Sequence, residues 1–231
     1  MFPRSLLFVF LSVVSAATVA QAQAQNRNRG TFLITGTKVT ALAIDPACKF
    51  TCIGFENGGT CLFPGDQATV YIASFFGHKK AILNVAIAPD LKTFVSASAD
   101  GTIKLWNVSD ARKHHEQMEK QKGEGTAPTP TPVWSSVAHP ASNLACMALS
   151  PDGKIIATGA TDGSVKLWDP ETGKDTTTIT KVHTGGIKAL AFSPDGKTLA
   201  TAGGDKTAKL WTLGAKPEVA QKLEGHEGAV L

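Results

Sequence analysis

Residues 98–106 read SADGTIKLW, residues 160–168 read ATDGSVKLW, and residues 203–211 read GGDKTAKLW. In each phrase an aspartate stands six residues before a tryptophan, and Lys-Leu-Trp closes it. Trp168 and Trp211 lie 43 residues apart, as do Pro151 and Pro194 of two SPDGK turns. Trp106 and Trp168 lie 62 apart, so that unit carries 19 extra residues. The same ruler laid backwards from Pro89 and Trp106 falls on Pro46 and Phe63. There it finds a worn fourth copy, with Asn57 in place of the aspartate and Phe63 in place of the tryptophan.

Such a period is expected of four-stranded propeller blades. The units run over about 36–76, 77–138 (with an insertion at 109–133), 139–182 and 183–224, and another unit starts at 225–231. Within a unit, short apolar runs alternate with Pro-Asp-Gly and Gly-Asp turns, the pattern of an antiparallel meander. The fold class is therefore all-β: a β-propeller of four-stranded antiparallel blades, with four blades and the start of a fifth in an open arc. The first strands share a spacing of apolar residues: Val39/Leu42/Ile44, Ile82/Val85/Ile87, Leu144/Met147/Leu149 and Ile187/Leu190/Phe192. These residues are expected to face neighbouring blades, because a single sheet cannot bury both of its faces.

From about residue 31 onward the chain resembles the WD40-repeat β-propeller family. The resemblance rests on Gly77-His78, Ser96, Asp100 and Trp106 in the second unit. His139, Thr158, Asp162 and Trp168 carry it in the third, and His183, Thr201, Asp205 and Trp211 in the fourth. In that family the four side chains form one hydrogen-bonded chain per blade, which the resemblance implies here. The chemistry suits the task. A buried indole N–H needs an acceptor, a hydroxyl accepts and donates, and a neutral imidazole does both. Ser96, His78 and Asp100 are also the residue types of a hydrolase triad. The set recurs once per unit, which an active site does not do, so a structural role is the expectation. The first unit has Ile53, Asn57 and Phe63 at the matching places, with no His at its start, and is expected to be the least rigid blade or one held by packing and cysteines.

The first two dozen residues are a different material. Arg4 precedes an apolar run from Leu6 to Val14, and then small residues with cleavage-like Ala-Gln-Ala triplets. Residues 1–24 read as a signal peptide, with an uncleaved anchor as the other reading, and 25–30 as a linker. The expected compartment is the periplasm or the exterior, in a bacterial style of repeat. Net charge is +4, without a basic block, so no nucleic acid is expected, nor a membrane beyond the leader. Cys48, Cys52, Cys61 and Cys146 show no haem or zinc spacing, and neither a cofactor nor a metal site is expected. A Cys52–Cys61 disulfide is possible in an exported chain, but the predicted hairpin sets the two diagonally, and free buried thiols are the alternative.

The insertion is charged at first, then Gly- and Pro-rich, and includes His114-His115 in what reads as a solvated loop. Opposite it, Phe55, Glu56, Lys79 and Lys80 are the expected partner surface, on loops flanking the first and second strands. The expected function is a non-catalytic protein-interaction scaffold in an exported protein. The alternative is the propeller part of a larger exported enzyme or haem-containing redox protein. An open arc leaves an exposed edge. The chain is therefore expected to be part of a longer protein, or to self-associate through its open blade edges.

Overall fold

The computed structural model describes residues 37–64, 73–110, 113, 130–140, 142–214 and 216–230. The expected leader at 1–24, the expected linker at 25–30, residues 31–36 and most of the insertion, with His114-His115, lie outside the described residues.

Four sheets follow one another, each an antiparallel meander of four strands in sequence order. Blade one holds β1 (Val39–Ile44), β2 (Phe50–Phe55), β3 (Gly59–Pro64) and β4 (Ala73–Phe76). Blade two holds β5 (Ile82–Ile87), β6 (Thr93–Ser98), β7 (Thr102–Asn107) and β8 (Trp134–Val137). Blade three holds β9 (Leu144–Leu149), β10 (Ile156–Ala160), β11 (Val165–Asp169) and β12 (Lys174–Ile179). Blade four holds β13 (Ile187–Phe192), β14 (Thr198–Gly203), β15 (Ala208–Thr212) and β16 (Glu218–Leu223). The first strands touch in succession, β1 to β5, β5 to β9 and β9 to β13, so the blades fan from a common inner line. The insertion leaves β7, is helical at residues 108–110, and returns into β8.

The apolar spacing of the first strands matches neither a flat strand nor a helix. A β-bulge explains it. In every blade the register shifts inside the first strand, leaving Thr40, Leu83, Ala145 and Lys188 as the extra residues. A bulge places two residues opposite one, so residues three apart return to the same face. Ile82, Val85 and Ile87 thus all reach blade one, where they pack with Ala41, Phe50 and Leu62. Leu144, Met147 and Leu149 pack on Val95 and Ala97, and Ile187, Leu190 and Phe192 on Ala157 and Val165.

Ile44 departs from the expectation: it is 47% exposed. It sits at the end of blade one's outward face, which no earlier blade covers among the described residues.

The turns repeat as faithfully as the strands. At the β6–β7 hairpin the Gly101 amide donates to the Ser98 carbonyl at 3.0 Å, with Gly101 at φ 83°. Gly58 and Gly163 hold the same left-handed place at φ 84° and 80°. A side chain on Gly163 would also strike the His183 carbonyl. Blade four puts Lys206 there, at φ 66°.

Candidate functional site

Each of blades two to four carries one buried polar chain running from strand to turn. In blade two the Trp106 indole N–H donates to Ser96 Oγ at 2.8 Å. Ser96 Oγ lies 2.7 Å from His78 Nε2. The indole is only a donor, so it takes up an acceptor site on the hydroxyl, and the hydroxyl proton is free to donate to Nε2. The imidazole proton then sits on Nδ1, which lies 3.0 Å from Thr102 Oγ1 and 3.3 Å from Asp100 Oδ2. Thr102 O–H donates to Asp100 Oδ1 at 2.6 Å, and the Lys79 amide donates to Oδ2 at 2.8 Å.

Blade four repeats the order. Trp211 N–H donates to Thr201 Oγ1 at 3.1 Å, and Thr201 Oγ1 lies 2.8 Å from His183 Nε2. His183 Nδ1 reaches Asp205 directly at 2.9 Å. In blade three Trp168 N–H donates to Thr158 Oγ1 at 2.9 Å, which lies 3.0 Å from His139 Nε2. There Nδ1 meets Ser164 Oγ at 3.1 Å, and Ser164 O–H donates to Asp162 at 2.6 Å. Asp162 thus acts on His139 through a hydroxyl.

These contacts include a residue the sequence reading missed. Thr102, Ser164 and Thr207 each stand two residues after the turn aspartate and bond to it. The signal was present as a hydroxyl at one fixed offset in all three copies.

The electrostatics follow from burial. Burial pulls the His78 imidazole below its ordinary value, against the opposing pull of Asp100, and His139 is lowered for the same first reason. Burial alone would raise the Asp100 carboxyl. Hydrogen bonds from Thr102 and from the Lys79 amide outweigh it and hold the group low. Asp205 is held down to about 2, with Thr207 and His183 bonds overcoming desolvation.

The order Asp–His–hydroxyl mimics a hydrolase triad, but the hydroxyls are sealed. Ser96 and Thr158 are 0% exposed and Thr201 is 1% exposed. Each already serves an indole N–H. A substrate carbonyl has no approach to them, so the chemistry this arrangement performs is to lock the second and third strands of a blade to the loop that leads into its first strand.

Blade one lacks the network because Ile53 and Phe63 stand where blade two has Ser96 and Trp106. Ile53, Phe55 and Phe63 form a buried cluster with Val39, Leu42 and Cys61 packed against it. This corrects the reading of Phe55 as an exposed partner residue: it is 5% exposed. It occupies the place that Ser98 holds in blade two, at a strand end where its ring packs with Ile53 and Phe63. Glu56, Lys79 and Lys80 are exposed and lie on neighbouring turns at one end of the arc.

The cysteines are free thiols. Ile53, not Cys52, stands opposite Cys61, so the diagonal register leaves the pair without a disulfide. Burial pushes the Cys146 thiol up to about 12 and raises Cys52 and Cys61 as well, which keeps them unreactive. The lysine of each Lys-Leu-Trp is tethered. Lys104 donates to Ser135, Lys166 pairs with Asp175 over the Trp168 ring, and Lys209 donates to the Val182 carbonyl. Among the described residues no cluster of three or more His, Cys, Asp or Glu is placed to hold a metal ion.

Three segments, 69–107, 130–169 and 173–212, match the family model described as WD domain, G-beta repeat. Each match ends at the close of a third strand, so the sequence repeat is staggered against the sheet by one strand. WD repeat-containing protein 70 of Xenopus tropicalis is 33% identical over 140 residues, covering 54% of this chain and 20% of the relative. U3 small nucleolar RNA-interacting protein 2 of Mus musculus is 32% identical over 104 residues, 45% of this chain and 20% of the relative. A ribosome biogenesis protein WDR12 homolog of Arabidopsis thaliana is 32% identical over 110 residues, 43% of this chain and 24% of the relative. The chain thus spans a quarter or less of the length of these curated relatives.

Proposed function

The chain belongs to the WD40 repeat family, and on that premise we propose that it is a non-catalytic scaffold that holds protein partners. One observation carries the reading. The chemically capable residues recur once in each of blades two to four, and there they are used up in joining the second and third strands to the loop before the first. What remains for recognition is the set of exposed turns, which differ from blade to blade. Glu56, Lys79 and Lys80 are exposed charged members of that set on blades one and two, and we assign the partner surface to them.

The leader at 1–24 supports an exported scaffold, and sequencing the mature amino terminus from cells tests that part alone. A terminus near residue 25 supports export, and an intact Met1 in the stable protein contradicts it. The relatives matched above are eukaryotic, so the bacterial style of the repeats carries no weight beyond the leader. The name of one relative attaches it to a small nucleolar RNA, so the expectation that nucleic acid plays no part is not carried forward.

Crosslinking in cells with the wild type and a Glu56→Ala/Lys79→Ala/Lys80→Ala variant tests the surface. A folded variant should lose the partners that the wild type retains. An unchanged set of crosslinked partners would remove the assignment.

A further inference from the structure

The residues at the mouth of each polar chain repeat in place but not in kind. Two positions before the histidine stand Phe76, Val137 and Lys181, and directly after it stand Lys79-Lys80, Pro140-Ala141 and Thr184-Gly185. Packing does not dictate the choice in blade two. Phe76 is 54% exposed, Val137 is 57% exposed, and Lys79 and Lys80 are exposed as well. A single apolar side chain in water needs no explanation. Here two of them, at the same place in consecutive repeats, stand on either side of one pair of lysines.

The β2–β3 turn of blade one ties these residues into one surface. A Cβ on Gly59 would come within 3.1 Å of the Phe76 ring, and one on Gly58 within 2.9 Å of the Lys80 carbonyl. Glu56 precedes that turn, and its amide donates to the Lys38 carbonyl at 2.9 Å. On the other side His78 Nδ1 lies 3.0 Å from Thr102 Oγ1. Thr102 stands opposite Val137 across the β7–β8 ladder, so Val137 shares the face that His78 touches. The Lys79 amide donates to Asp100. Among the described residues, neither the Lys79 nor the Lys80 ammonium is paired with a carboxylate.

We propose that this surface binds a short acidic peptide segment of a protein partner. One apolar residue of the segment rests on Phe76, another on Val137, and carboxylates between them meet Lys79 and Lys80. The inference rests on the scaffold reading and its assignment of Glu56, Lys79 and Lys80, and it names the chemistry of the partner. Ammonium groups without a carboxylate select an acidic segment by charge, and the exposed apolar groups beside them add area to bury. A nucleic acid fits less well, because its phosphates track a longer basic groove. The places after His139 and His183 carry no lysine, and Glu56 lies on the adjoining turn.

Panning a random peptide library on the purified chain and its variants tests this, with circular dichroism to report folding. Every substituted side chain is exposed, so the variants should fold. The wild type should enrich peptides in which aspartate or glutamate lies between two apolar residues. Lys79→Glu/Lys80→Glu should bind those peptides at least about tenfold more weakly. Phe76→Ala/Val137→Ala should lose the apolar preference and keep the acidic one. Enrichment of neutral or basic peptides that depend on Lys79 and Lys80 would overturn the acidic chemistry and leave the surface assignment standing. Peptides that bind all folded variants alike would overturn both, and a library with no enriched peptide would overturn the proposal. A uridine homopolymer that binds more tightly than the enriched peptides and displaces them would overturn it in favour of nucleic acid.

Discussion

A buried indole N–H sets the direction of every proton in these networks. Because it can only donate, the hydroxyl beyond it donates onward, and the imidazole must keep Nε2 bare. That requirement makes His78 and His139 pH-sensitive in one direction. His78 and His139 are held below the ordinary imidazole value of 6.5, because burial disfavours the charged ring. The unfolded chain therefore takes up protons at these sites more readily than the folded one. Their contribution to stability is full above 6.5 and is lost as the pH falls toward their folded values. Thermal melts should show a falling melting temperature below that point, and a His78→Gln/His139→Gln variant should lack that slope. A flat profile in the wild type would contradict the assignment of neutral rings. A second loss, from Asp205, belongs between 3.8 and about 2, where its carboxylate is protonated. At this scale the twelve residues of the three sets were legible because they repeat. Thr102, Ser164 and Thr207 were not, because a hydroxyl after a turn aspartate reads as ordinary turn chemistry. Phe55 misled because its position beside a turn suggests exposure, while its ring is buried in the cluster with Ile53 and Phe63.

Turns and rim contacts decide how firmly each strand is held. Three β2–β3-type hairpins use glycine in the left-handed position, and blade four uses Lys206 at φ 66°. A non-glycine residue there is strained, partly offset by glycine's greater freedom when unfolded. Lys206→Gly should therefore stabilise the chain by about 0.5–1 kcal/mol, measured by urea unfolding; a loss of stability would mean the lysine side chain holds the turn. On the rim, the Trp134 indole N–H donates to the Pro170 carbonyl at 2.8 Å. Its ring covers Gly173, whose carbonyl accepts from Ser136 O–H at 2.6 Å. The fourth tryptophan thus fastens β8 to the β11–β12 hairpin just where the insertion returns. Trp134→Ala should cost about 2 kcal/mol and speed amide exchange in β8. Unchanged exchange there would show that the strand is held by its ladder alone. The number and order of strands were plain from the repeat. The first-strand bulge was not, since apolar spacing shows that a strand is irregular without showing which residue is extra.

For the whole molecule, the account rests on one claim: each network is a fastener for its own blade, and none is a reactive centre. Period and motif gave the four-bladed arc directly, because a 43-residue repeat has few other solutions. The apolar substitution of blade one was visible as Ile53 and Phe63, but its consequence, a second hydrophobic cluster in place of a polar chain, needed the packed structure. The most direct test is urea unfolding of Ser96→Ala, Thr158→Ala and Thr201→Ala, measured side by side. Each change strands a buried indole N–H and an imidazole nitrogen. The account predicts that all three lose about 2–4 kcal/mol, and lose it alike. One variant that keeps full stability while its equivalents fall would show that its network does something other than hold a blade.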